Sequence, residues 1–169
     1  MSNVLFPQYT TEYISKTMSL RKPQEVSLQI LDNIANHVSL NKGTDLKKAL
    51  DKIHELYPIC TDFERDFLSL SFALATGVGK TRLMGAFITY LYTQHGIKNF
   101  FVVAPGTTVC DKLKRDLGDG SNPKYVFKGI GCFGNPPIVI SDDEYAEHPI
   151  SLFHQDINIY VFNIDKFNK

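Results

Sequence analysis

The stretch FLSLSFALATGVGKTRLMGAFITYLYTQ, residues 67–94, decides the fold. Its first half alternates: Phe67, Ser69, Ser71 and Ala73 fall on one side of an extended chain, and Leu68, Leu70, Phe72 and Leu74 on the other. A run of this kind that closes on Thr76-Gly77 predicts a buried strand entering a turn. From Lys80 to Gln94 the period changes to that of a helix, with Leu83, Phe87, Tyr90 and Leu91 on one side and Gly96 beyond as a stop. Between strand and helix lies Ala75-Thr76-Gly77-Val78-Gly79-Lys80-Thr81. Two glycines there let the backbone turn its N–H groups inward, and the positive end of the helix adds to them, so the segment predicts a cradle for an anionic group such as a polyphosphate. Lys80 would reach the β and γ phosphates of a triphosphate, and the Thr81 hydroxyl is the kind of oxygen ligand that Mg²⁺ takes. Thr76, Gly77, Val78, Gly79, Lys80, Thr81 and Arg82 are therefore the candidate cofactor-binding residues, with Lys80 and Thr81 the candidate catalytic ones. The full eight-residue phosphate-loop pattern asks for glycine where this chain has Leu74.

Outward from this stretch, Asn99 to Ala104 reads as a second short strand, Thr107 to Leu117 as a second crossover helix, and Ile157 to Ile164 as a later strand. Strand, helix, strand, helix is the order of an α/β domain with a parallel sheet. Gly118 to Pro137 is rich in Gly and Pro and reads as loop or hairpin. Upstream, Val26, Ile30, Leu31, Ile34 and Val38 recur at helical spacing after Pro23, which predicts a helix ending near Asn41 to Gly43. Thr44 is the candidate cap of another, carrying Leu46, Leu50, Ile53 and Tyr57 on one stripe and stopped by Pro58. The division expected is a helical segment over 1–66 and a nucleotide-binding α/β domain over 67–169, with no assignment for the first twenty residues.

Composition excludes several classes. With 169 residues, 43% of them apolar and 21% charged, there is material for one core. Eighteen basic residues balance eighteen acidic ones, so no overall positive field announces a nucleic-acid or membrane partner. The apolar runs fall short of the roughly 20 residues that cross a bilayer, and no signal-peptide pattern follows Met1, so a cytoplasmic protein is expected. Cys60, Cys110 and Cys132 form no CxxC pair and read as reduced thiols, with Cys110 at a helix start open to a reactive or a buried reading. Five histidines share no ligand spacing, and no metal beyond Mg²⁺ is expected. Phe100-Phe101 and Tyr160-Phe162 read as strand core.

Ala75 to Thr81 resembles the first motif of superfamily 2 helicases, which commonly lacks the leading glycine and so accommodates Leu74. Leu20-Arg21-Lys22-Pro23-Gln24 is similar to the Leu-Arg-x-x-Gln segment that precedes this motif. In the family that segment sets a Gln against the adenine edge, which the resemblance carries to Gln24. An amide can pair both donor and acceptor with adenine, although an exposed polar residue in a first helical turn explains Gln24 equally well. Val102 to Thr108 sits where the next helicase motif falls. The resemblance thus implies that Pro105, Gly106, Thr107 and Thr108 touch a nucleic-acid backbone, while a plain strand-to-helix turn with a Thr cap fits the same residues. Asn158 to Lys169 resembles the stretch that leads up to an Asp-Glu-x-His motif. Among these relatives, the Res subunit of type III restriction enzymes is the nearest group suggested.

What the resemblance implies is an incomplete RecA-like parallel sheet flanked by helices, with an N-terminal helical extension, ATP and Mg²⁺ as cofactors, and double-stranded DNA as partner of the full-length motor, with a modification subunit beside it. Asp142-Asp143-Glu144 after Ile138-Val139-Ile140 is a candidate acidic motif, but it reads better as a surface acidic turn, and Asp156 and Asp165 as turn residues. The chain is then expected to be an N-terminal fragment that binds nucleotide and hydrolyses it poorly. A complete small P-loop kinase and a non-catalytic nucleotide-binding module are the competing readings.

Overall fold

The computed structural model describes residues 6–147 and 157–166. The elements run α1 (Thr11–Thr17), α2 (Lys22–His37), α3 (Leu46–Leu56), α4 (Lys80–His95), β1 (Asn99–Ala104), α5 (Thr107–Gly118), β2 (Ile138–Ser141), α6 (Asp142–Glu147) and β3 (Asn158–Asn163). They divide into two compact units, one of Met1–Leu20 with Thr81–Lys169 and one of Arg21–Lys80.

The larger unit is an α/β layer. Its sheet has the order β1-β3-β2 and is parallel throughout, with Phe101 opposite Tyr160 and Ile140 opposite the other side of Tyr160. Parallel strands require crossover connections, and the one from β1 to β2 runs through α5, which carries Leu113 and Leu117 into the core. In the central strand Ile159 and Val161 are buried on one face and Tyr160 on the other, as a strand covered on both faces should be. α4 buries Leu83, Ala86, Ile88, Tyr90 and Tyr92, and Gly96 stops it at φ +66°, its N–H donating to the Tyr92 carbonyl. The Gly- and Pro-rich segment after α5 is an irregular loop with one short 3₁₀ turn at Gly131–Phe133. It inserts Phe127, Ile130 and Phe133 into the core, where the Phe127 and Phe133 rings lie 4.3 Å apart.

The smaller unit packs α2 against α3. Ile34 and Val38 meet Ala49, Ile53 and Phe63, with Leu46, Leu50 and Tyr57 partly buried around them. α2 ends at His37, four residues before the expected stop, because Val38 takes an extended conformation and turns its side chain into the same core. The cap of α3 is Asp45, whose carboxylate accepts from the Lys48 N–H at 3.1 Å. Thr44 instead donates its hydroxyl to the carbonyls of Ser39 and Asn41, closing the loop ahead of the helix.

Three further expectations need correcting. The run Phe67–Ala75 is in none of the described strands. Its alternation survives as burial, with Phe72 and Leu74 half-buried between exposed Ser71, Ala73 and Ala75. A strand also needs a ladder partner, and the unit of Arg21–Lys80 contains helices but no described strand. The residues from Asp142 are not a turn: Ile138–Ser141 pairs with β3, and Asp142 starts α6. Phe101 is not core, being 65% exposed and stacked on Tyr160 at 4.7 Å, because Asn99, Phe101 and Val103 share an open face of β1 while Val102 and Ala104 are buried on the other. His148, His154 and Asp156 lie outside the described residues.

Candidate functional site

In the smaller unit, the loop Thr76–Lys80 leads into the first residue of α4. Gly77 and Gly79 have φ of +79° and +94°, a region that residues with a Cβ rarely enter, so the two glycines are required by the path of the backbone. Their surroundings differ. A Cβ at Gly77 would meet nothing within 4 Å, leaving room for a ligand oxygen to approach the backbone. A Cβ at Gly79 would fall 2.9 Å from Gln24 Nε2.

Gln24 is 1% exposed, which removes the reading of it as a solvated first-turn residue. Its Oε1 accepts from the Arg21 N–H at 2.7 Å, and its Nε2 donates to the Gly79 carbonyl at 2.8 Å. Arg21 reaches the same loop, with Nη1 donating to the Gly77 carbonyl at 3.0 Å. The start of α2 and the loop before α4, 55 residues apart in the chain, are thus tied by two side chains to two glycine carbonyls. Sequence reasoning singled out Gln24 but assigned nothing to Arg21. The signal available was its place at the residue before the helix, three positions ahead of Gln24.

Lys80 and Arg82 are exposed and Thr81 half-buried in the first turn of α4, where backbone N–H groups have no partner within the helix. The Arg82 guanidinium points back, donating to the carbonyls of Met18 at 3.3 Å and Ser19 at 3.4 Å beyond the end of α1. The open side of Gly77 and the exposed Lys80 fit a polyphosphate in charge and donor type, and the hydroxyl of Thr81 is by its chemistry an oxygen ligand of the kind Mg²⁺ takes.

In the larger unit, the turn Pro105–Thr108 follows β1 at the carboxyl end of the sheet. Pro105, Thr107 and Thr108 are exposed. Gly106 has φ +75° and is the residue ahead of α5, so the helix has no side-chain cap and the expected Thr cap is absent. The Gly106 N–H donates to Asn163 Oδ1 at 3.2 Å, and the same oxygen accepts from the Asp165 N–H at 3.0 Å. Asn163, 8% exposed at the end of β3, therefore fixes the turn after β1. Nearby, Asp142 pairs with Lys166 at 3.0 Å and Glu144 with Lys114. Lys114 and the Ser141 N–H hold the Glu144 carboxyl below its ordinary range. Cys110 donates to the Ala104 carbonyl at 3.7 Å, and its thiol is pushed up first by burial and then by Asp142, Asp111 and Asp165. Its surroundings therefore act against a thiolate at this position.

The family model for the type III restriction enzyme Res subunit matches residues 17–169, which takes in both units from the end of α1 onward. The chain belongs to the type III restriction enzyme Res subunit family. The fold agrees, since a parallel α/β layer flanked by helices is what an incomplete RecA-like domain presents. Membership makes the chain a helicase-like ATP-binding module of a family whose full-length members act on nucleic acid. Neither a curated protein nor a solved structure matches it. Among the described residues, no helix is long and apolar enough to cross a membrane.

Proposed function

We propose that this Res-family chain is the ATP-binding part of an ATP-dependent DNA translocase or helicase of the type III restriction kind, and that on its own it binds Mg²⁺–ATP with little turnover. The observation that carries the reading is the loop Thr76–Lys80, with two positive-φ glycines immediately ahead of Lys80 and Thr81 and the buried Gln24 amide against Gly79. Lys80 supplies a point charge to the terminal phosphates, and Thr81 gives one oxygen ligand to the metal. Mg²⁺, when bound, would offset the negative charge of the phosphate oxygens. Gly77, Val78, Gly79 and Lys80 present backbone amides to the same anion, and Thr76 flanks it, while the Arg82 guanidinium is taken up by the carbonyls of Met18 and Ser19.

Slow turnover rests on where the described acids sit. Hydrolysis takes a carboxylate on the metal and a group that orients water. The acids that follow β2, Asp142 and Glu144, hold Lys166 and Lys114. For the nucleic-acid track, the exposed turn Pro105–Thr108, ahead of a helix start and anchored through Asn163, is the proposed contact with a phosphate backbone. Double-stranded DNA, a modification subunit and a cytoplasmic setting complete this reading.

Isothermal titration with Mg²⁺–ATP tests it. Saturable binding is expected in the unmodified chain and at least a tenfold loss in Lys80→Ala, since a charge-assisted phosphate contact contributes on the order of 1.5–3 kcal/mol. Equal affinity in the two proteins overturns the assignment, and rapid ATP turnover by this chain overturns the claim of weak hydrolysis.

A further inference from the structure

We propose that Arg21 and Gln24 are positioning residues that aim the amides of the phosphate loop, so that Gln24 acts on the phosphate tail of a ligand whatever base that ligand carries. The inference rests on the phosphate-binding reading of Gly77–Lys80 and deepens it.

The argument starts from peptide geometry. A trans peptide is planar, and its C=O and N–H point in opposite directions. The Gly77 carbonyl shares its peptide plane with the Val78 N–H, and the Gly79 carbonyl shares its plane with the Lys80 N–H. Arg21 Nη1 takes the first carbonyl at 3.0 Å, and Gln24 Nε2 takes the second at 2.8 Å. Both donors come from the start of α2, so both carbonyls are drawn toward that helix and the amides of Val78 and Lys80 are turned away from it. Those amides form part of the cradle proposed above for a triphosphate. Without the two donors the peptides could rotate, because glycine at Gly77 and Gly79 imposes little restriction of its own.

Gln24 is suited to a fixed role. It is 1% exposed, and its acceptor is engaged by the Arg21 N–H at 2.7 Å, which sets the amide's orientation and leaves its donor side facing Gly79. Arg21 is held through its backbone by that same bond, so the two residues form one device: backbone to amide, amide to Gly79, guanidinium to Gly77. The Cβ-free α-carbon of Gly79 is the complement, since any side chain there would fall 2.9 Å from Gln24 Nε2.

The test is base-independent binding. Mg²⁺ complexes of ATP, GTP and inorganic tripolyphosphate are titrated into the unmodified chain, Gln24→Ala and Arg21→Ala. Arg21→Ala keeps the backbone bond to Gln24 and removes only the Gly77 contact, so it serves if Gln24→Ala fails to fold. Measurement at about 0.5 M salt screens the guanidinium's charge. All three ligands are expected to weaken in parallel, about five- to tenfold for each variant, as loss of one hydrogen bond implies. In the ligand-free proteins, the ¹⁵N order parameter of Val78 is expected to fall in Arg21→Ala and that of Lys80 in Gln24→Ala, and Arg21→Lys is expected to restore part of the loss at Val78. A Gln24→Ala protein that keeps full tripolyphosphate affinity and loses only its preference for ATP over GTP overturns the proposal, as do unchanged order parameters. An unmodified chain that binds none of the three ligands overturns the phosphate-loop reading itself, which is a different result.

Discussion

Gly79→Ala is the sharpest perturbation of the loop, because its cost separates into two parts that can be measured apart. The first is backbone strain: an alanine forced to φ +94° costs about 1–2 kcal/mol, reduced by the roughly 0.4–1 kcal/mol that Gly→Ala gains by restricting the unfolded chain. The second is the clash. The new Cβ would sit 2.9 Å from Gln24 Nε2, closer than real Cβ contacts come, and Gln24 is enclosed on all sides. Its amide has to withdraw, breaking the 2.8 Å bond to the Gly79 carbonyl and stranding a buried donor, at about 1–3 kcal/mol. The sum is on the order of 1–5 kcal/mol, of which only the strain remains when Gln24 is already Ala. Urea denaturation of the unmodified chain, both single variants and the double variant gives the coupling directly, with about 1–3 kcal/mol expected. Strict additivity would refute the contact between Gln24 and the loop. Gly77→Ala is the control, since its Cβ meets nothing within 4 Å and strain is its only folding cost.

Other predictions follow from the larger unit. Gly85→Ala drives a Cβ to 1.9 Å from Val126 Cγ1 inside the core and should destabilise by about 1–3 kcal/mol, with Val126→Ala in the same chain recovering part of the loss in thermal melts. Asn163→Ala frees the N–H groups of Gly106 and Asp165 together and should cost about 1–3 kcal/mol, with faster amide exchange at Gly106 as its local readout. Glu144 has a carboxyl held below its ordinary value by Lys114 and the Ser141 N–H, so its contribution is present at neutral pH and lost as pH falls through the acid range below about 4.5. Because Lys114 and Glu144 are partly exposed, the effect is small, and Glu144→Gln should flatten it in an acid titration followed by circular dichroism.

Much of the fold was legible from residue order. Helical periodicity located α2, α3 and α4, and short apolar runs located β1 and β3, because such patterns report burial that each segment carries along its own length; α5 followed from its place between strands. Details that depend on competing local donors were not legible. Asp45 displaces Thr44 as the cap of α3 because only its carboxylate meets the Lys48 N–H, while the Thr44 hydroxyl is drawn to Ser39 and Asn41. The short run Ile138–Ser141 does not announce a strand in sequence, since four residues after two prolines carry little period. What makes it one is the ladder to Asn158–Val161, some twenty residues away.

The amino-acid order by itself determined the glycines, lysine and threonine of Gly77–Thr81, their place at the start of a helix, and the family likeness that spans most of the chain. These are local or pattern properties, and composition at fixed spacing suffices for them. Only the tertiary structure decided that Phe67–Ala75 lies outside the described sheet, that Asp142 and Glu144 hold lysines, and that Arg21 and Gln24 grip the carbonyls of Gly77 and Gly79. Strand pairing, ion pairing and the grip on the loop all need a second partner brought near from elsewhere in the chain, and no sequence window contains that partner.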